Sequence, residues 1–165
     1  MIPAGKKPPE DIYVMIEIPK GSRLKFEIED GVVYLDRKLF TAMVYPYNYG
    51  VIPSTKAPDG DPLDALLIME DPIPPGVVVR ARPIGVLYME DEKGEDEKII
   101  AVPHEKIDPR YANIKDLNDL PEAILNEIKH FFEHYKELEP GKRTKVKGRG
   151  NKQEALEIIK KSLVQ

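Results

Sequence analysis

Apolar residues recur at every second position through the first two thirds of the chain, and at every third or fourth position in the last third. No other feature constrains the fold as much. In D-I-Y-V-M-I-E-I-P, Ile12, Val14, Ile16 and Ile18 alternate with Tyr13, Met15 and Glu17, the period of a strand with one buried face. In R-L-K-F-E-I-E, Leu24, Phe26 and Ile28 take one face while Lys25, Glu27 and Glu29 take the other. Asp30-Gly31 then signals a hairpin that returns the chain as V-V-Y-L-D-R. L-D-A-L-L-I-M, V-V-V-R-A-R-P-I-G-V-L-Y-M and K-I-I-A-V supply further strands. Pro53, Pro58, Pro62, Pro72, Pro74, Pro75 and Pro83 punctuate them, which marks strand ends and edges rather than helices.

From Asp119 the period changes to that of a helix, with Pro121 in the first turn, where its missing N–H costs nothing. Ile124, Ile128, Phe131, Tyr135 and Leu138 form an inward stripe widened by Leu125 and Phe132, and Pro140-Gly141 ends the helix. A second helix begins at Asn151, with Glu154 at the capping-box spacing and Ala155, Leu156, Ile159 and Leu163 on its apolar side. Short strands followed by terminal helices imply a small closed or partly closed barrel with helices packed outside it.

Length and composition narrow the function. A chain of 165 residues suits a single domain spanning 1–165 with a real core. Nothing approaches the run of about 20 apolar residues that a membrane helix needs, and M-I-P-A-G-K-K-P-P has no apolar signal core. A cytoplasmic protein without a membrane partner is expected. Absence of cysteine removes disulfides and thiolate metal sites, so any metal must sit on oxygen or imidazole. A net charge of −4 argues against a nucleic-acid partner.

The chemistry concentrates in K-A-P-D-G-D-P-L-D-A-L-L-I-M-E, residues 56–70, where Asp59, Asp61 and Asp64 repel one another beside an apolar run. A hydrated turn would explain an isolated D-G-D. An EF-hand fails, because the sixth-position glycine is missing, Leu63 replaces a ligand, and a strand follows. A second acidic run, E-D-E-K-G-E-D-E-K at residues 90–98, alone would be a solvated hairpin tip. Y-P-Y-N-Y-G at residues 45–50 alone would be core or turn packing.

These segments do not stand alone. E-I-P, K-F-E, D-R, Y-P-Y-N-Y-G, D-G-D-P-L-D, D-E-K-G-E-D-E-K and H-F-F-E-H-Y-K follow one another in that order. The chain resembles the family I soluble inorganic pyrophosphatases, specifically the short prokaryotic form, over nearly its whole length. The resemblance implies an α+β fold that is mainly β, an OB-type five-stranded closed barrel with two C-terminal helices. It implies metal-dependent hydrolysis of pyrophosphate to two phosphates, by a metal-activated water and without a covalent enzyme intermediate. By the same resemblance Asp59, Asp64, Asp91, Asp96 and Glu27 are metal ligands, and Asp61 orients and deprotonates the attacking water. Lys25, Arg37, Lys98, Tyr135 and Lys136 bind phosphate, Tyr45 and Tyr49 line the cavity, and Glu17 acts largely through water.

Charge bookkeeping agrees. Glu17, Glu27, Asp59, Asp61, Asp64, Asp91 and Asp96 face Lys25, Arg37, Lys98 and Lys136. With pyrophosphate the site is about six charges short of neutral, a gap that roughly three or four Mg²⁺ close; Mn²⁺ or Zn²⁺ are possible substitutes. A structural metal module would lack the cations, and an OB nucleic-acid binder would need a basic, aromatic strand face. The basic segment K-R-T-K-V-K-G-R-G, residues 142–150, is expected as a solvated loop. His130 and His134, four apart on the first helix, lack a third ligand for zinc; the family's homohexamer of two trimers suggests a subunit contact there.

Overall fold

The structure is a computed structural model and describes residues 2–164. Strands β1 (Ile12–Ile18), β4 (Asn48–Ile52), β5 (Leu63–Leu67), β8 (Lys98–Pro103) and β6 (Val78–Asp91) form a ring. Antiparallel pairings join β1 to β4, β4 to β5, β8 to β6 and β6 back to β1, while β5 and β8 run parallel. The expected five-stranded barrel of OB type is thus present. Strands β2 (Leu24–Glu29) and β3 (Val32–Lys38) form a separate hairpin, and β7 (Gly94–Glu95) folds back on the end of β6.

The pleat divides the core in two. Ile12, Val14, Ile16, Ile52, Leu63, Ala65, Leu67, Ala81, Ile99 and Ala101 fill the space the ring encloses, with Ala155 and Ile159 of helix α2 (Lys152–Ser162). Leu66, Ile84, Leu87, Ile100 and Val102 point outward and are covered by Leu125, Ile128, Phe131 and Phe132 of helix α1 (Glu122–His134). Each fully buried side chain of this size contributes about 1.5–3 kcal/mol relative to exposure.

Four local expectations are corrected. Ile18 does not share a face with Ile12, Val14 and Ile16: the β1–β4 register slips between Ile16 and Ile18, and this bulge puts Ile18 in the outer cluster. Helix α1 starts at Glu122 and stops at His134. Asp119 belongs to a preceding short 3₁₀ turn, Pro121 is the N-cap, and i→i+3 bonds from Glu137 to His134 and from Glu139 to Lys136 replace the last helical turn. Leu138 therefore leaves the stripe and is 72% exposed.

Residues Thr144–Gly150 are strand β9, paired with the second half of β6, rather than a solvated loop. Only Gly150 is buried there, Thr144 and Val146 are half-buried and Gly148 is exposed, so no apolar alternation marks the strand. A side chain at Gly150 would meet Val86 and Glu154 at 2.8 Å, which is why glycine stands there. Finally, β4 carries no period-2 signal because every one of its residues is buried. Its polar member, Asn48, is satisfied: Oδ1 accepts from the Lys20 and Ile73 amides and Nδ2 donates to the Asp71 carbonyl. The Asn151–Glu154 capping box forms as expected.

Candidate active site

The ring brings its chemistry to the outer face at one end of β5 and β8. Asp64 and Lys98 are register partners in the parallel pair, so two residues far apart in sequence become neighbours. The Lys98 ammonium is 2% exposed and donates to Tyr49 Oη at 2.7 Å, to Asp96 Oδ2 at 3.0 Å and to Asp64 Oδ2 at 3.1 Å. The Tyr49 and Phe132 rings lie against it at 5.0 and 5.3 Å. Burial works against its charge, but Asp64 and Asp96 prevail, and the pKa lies well above the usual lysine value.

Around this centre lies a cavity of about 270 Å³ lined by Glu17, Lys25, Arg37, Tyr45, Tyr49, Asp59, Asp61, Asp64, Asp91, Asp96, Lys98, Tyr135 and Lys136. Each has a local reason to point there. The β1 bulge turns Glu17 toward the cavity, and β2–β3 pairing sets Lys25 directly opposite Arg37. A closed turn from Ala57 to Asp61 projects Asp59 and Asp61. The Ala57 amide donates to the Asp61 carbonyl, the Asp61 amide donates to Asp59 Oδ1, and Gly60 takes the required φ of +92°. The hairpin of β6 and β7 delivers Asp91, whose carboxylate is 4.0 Å from Lys136, and leads into Asp96. The turn that follows the C-terminal end of α1 supplies Tyr135 and Lys136.

Charge is crowded here. Burial raises the Glu17 carboxyl to about 7 against the opposing pull of Lys25, with Asp64 and Glu27 adding to the rise. Burial, and then Asp64, also raise Asp96 despite Lys98. Burial lowers Lys136, and lifts Tyr135 to about 12 and Tyr45 and Tyr49 well above the usual phenol. Asp59 and Asp61 have no ion-pair partner among the described residues.

Of the residues expected in the site, Glu27 alone is absent from the cavity wall; it is exposed on β2 opposite Tyr34 and acts on Glu17 by charge. Among the described residues, no three carboxylate or imidazole groups converge closely enough to form a ready-made metal site. The Lys98 ammonium sits between Asp64 and Asp96, and Lys136 faces Asp91. Two residues escaped the sequence reading. Lys93 lines the cavity, although its place in a charged hairpin suggests only a solvated tip. Glu139 lies behind Arg37 at 3.7 Å, and nothing in its local sequence marks it. His130 and His134 sit on the exposed side of α1 with ring centres 4.5 Å apart, and His134 contacts Glu137.

Fold and cavity together define a class: a small barrel enzyme that holds a compact, highly charged phosphate compound between lysine/arginine donors and oxygen-only acids. Comparison with known proteins narrows this. The family model described as inorganic pyrophosphatase matches residues 14–165. The chain is 60% identical over 164 residues to the inorganic pyrophosphatase of Aquifex pyrophilus, covering 98% of this chain and 93% of that one. It is 56% identical over 161 residues to that of Saccharolobus solfataricus, covering 96% and 94%. The crystal structure of inorganic pyrophosphatase from Thermus thermophilus superposes with a TM-score of 0.94 at 48% identity, covering 98% and 94%. The chain belongs to the inorganic pyrophosphatases, in their soluble family I form, and is a hydrolase of pyrophosphate. Divalent metal dependence comes with the family. No helix among the described residues is long and apolar enough to cross a membrane.

Proposed function

We propose that pyrophosphate is cleaved in this cavity by direct attack of water on one phosphorus, with no covalent enzyme intermediate. The observation that carries the proposal is the convergence of Asp59, Asp61, Asp64, Asp91 and Asp96 with Lys25, Arg37, Lys98 and Lys136 around one space. Lys25 and Arg37 hold phosphate from the hairpin side. Lys98, Lys136, Tyr49 and Tyr135 hold it from the barrel side, and Tyr45 walls the cavity. Donors aimed from both sides are suited to charge that spreads over the leaving phosphate.

The donor set fits a hard divalent cation: it is all oxygen, and burial, with neighbouring acids adding to it, raises Glu17 and Asp96. Asp59, Asp64, Asp91, Asp96 and, from the hairpin, Glu27 would hold Mg²⁺, with about three to four ions beside substrate and Mn²⁺ or Zn²⁺ as substitutes. Bound there, such ions neutralise the crowded carboxylates and make water a better nucleophile at neutral pH. Asp61, exposed and unpaired beside the ligands, orients the attacking water and takes its proton. Glu17, titrating near 7, sits where it can pass a proton through solvent.

The working unit in this proposal is one domain over residues 1–165, assembled as a homohexamer of two trimers in the cytoplasm, without nucleic-acid or membrane partners. The exposed His130–His134 pair on α1 suits a subunit contact. The test is phosphate release from pyrophosphate with Mg²⁺ and with chelator, for the wild type, Asp61→Asn, Asp59→Asn and Asp64→Asn. Activity should require Mg²⁺. Asp61→Asn should bind metal and substrate but lose about 10²–10⁴ in turnover, the usual worth of a positioned base. Excess Mg²⁺ should restore part of the activity of Asp59→Asn and Asp64→Asn. Near-normal turnover of Asp61→Asn at saturating Mg²⁺ would show the base to be another group.

A further inference from the structure

Glu139 is buried, 9% exposed, and its Oε2 has no hydrogen-bond partner. A buried acceptor left unpaired is costly, and a carboxylate more so, unless something nearby balances it. The balancing group is the Arg37 guanidinium, whose Nη1 lies 3.7 Å from Glu139 Oε1. Arg37 comes from the β2–β3 hairpin, which forms its own sheet apart from the barrel, and it is 41% exposed. Its other acidic neighbour, Asp36, is adjacent in sequence and similarly exposed, so it cannot fix the guanidinium firmly.

Glu139 is tied to the opposite wall. Its amide donates to the Lys136 carbonyl at 3.0 Å, closing the turn that ends α1, and its carbonyl accepts from the Lys142 amide at 3.1 Å. The same turn presents Tyr135 and Lys136 to the cavity. Arg37 and Lys136 line the same cavity, where their like charges repel each other. A carboxylate fastened to one cation's turn and facing the other offsets that repulsion.

We propose that Glu139 is a positioning residue for Arg37, a buried counter-charge that locks the hairpin to the turn after α1 so that both phosphate-binding cations face the same anion. Glu139 does not line the cavity and acts only through Arg37. A small rotation of the guanidinium would let its fork meet both carboxylate oxygens, the strong geometry for this pair. The proposal rests on the reading of Arg37 as a phosphate binder, and the experiment separates the two.

Four Mg²⁺-loaded enzymes are compared: wild type, Glu139→Gln, Arg37→Ala and the double variant. For each, kcat and KM for pyrophosphate are measured, with binding of methylenediphosphonate by calorimetry and thermal melting as a check of folding. Glu139→Gln should raise KM and weaken diphosphonate binding about tenfold, with kcat changed less than about threefold. In the Arg37→Ala background the same substitution should change binding by less than about twofold, because its route of action is already gone. If Glu139→Gln does not fold, Glu139→Asp, which withdraws the charge by one methylene, should shift KM in the same direction. Unchanged binding in a folded Glu139 variant, or independent losses that multiply in the double variant, would overturn the proposal. If Arg37→Ala itself binds normally, the assignment of Arg37 fails, and the role of Glu139 fails with it.

Discussion

Lys98→Met removes the charge at the centre of the site while keeping a long, unbranched, apolar stem in the same space. Three contacts vanish, to Tyr49 at 2.7 Å, Asp96 at 3.0 Å and Asp64 at 3.1 Å. Breaking a buried ion pair from one side costs about 3–5 kcal/mol, because the remaining charge is stranded. Here Asp64 is 28% and Asp96 17% exposed, so water recovers part of that. The expected loss without metal at pH 7 is about 2–4 kcal/mol, or a fall in melting temperature of roughly 6–12 °C for a chain of this size. Burial already raises Asp96 in the wild type, and losing Lys98, whose charge opposes that rise, pushes it further up. An acid raised in the folded state favours the fold when protonated and disfavours it as pH rises through its folded pKa. The gap between variant and wild type should therefore narrow toward pH 4–5 and be widest above neutrality. Mg²⁺, meeting unneutralised carboxylates, should stabilise the variant more than the wild type. Urea unfolding in chelator and in Mg²⁺, from pH 4.5 to 8, measures all three effects. A loss below about 1 kcal/mol at pH 7 in chelator, or a gap independent of pH, would refute the electrostatic account of Lys98.

Glu17→Gln should remove a carboxyl held near 7 by burial, which costs stability once it ionises. The variant should match the wild type near pH 4 and gain about 1–3 kcal/mol on it by pH 8; equal stabilities at pH 8 would place Glu17 in open solvent. Calcium should occupy the carboxylates yet inhibit, because its larger radius and looser geometry spoil the alignment of water and phosphorus. Calcium supporting hydrolysis as well as Mg²⁺ would contradict this. Light scattering at neutral pH should give a hexamer mass, with the exposed His130–His134 face of α1 at a subunit contact. A monomer at micromolar concentration would remove the assembly.

Local physics wrote much of this protein into the sequence. Alternation marked β1 and β2, apolar runs marked β6 and β8, the Asn151–Glu154 box marked the start of α2, and Asp30-Gly31 marked the hairpin, because each is decided within a few residues. The motif order carried the resemblance to the family, and that resemblance assigned nearly all the lining side chains. Other features exist only once the ring closes. The parallel register seats Lys98 beside Asp64, and the β1 bulge turns Ile18 outward and Glu17 toward the cavity. Pairing with β6 makes a strand of the basic segment Thr144–Gly150. Lys93 gained its place from the β6–β7 hairpin, Glu139 its meaning from Arg37 about a hundred residues earlier, and Glu27 lost its expected place on the wall. Periodicity tells a residue which face of its own strand it occupies; partners and register are set by long-range pairing, which no single stretch of chain encodes.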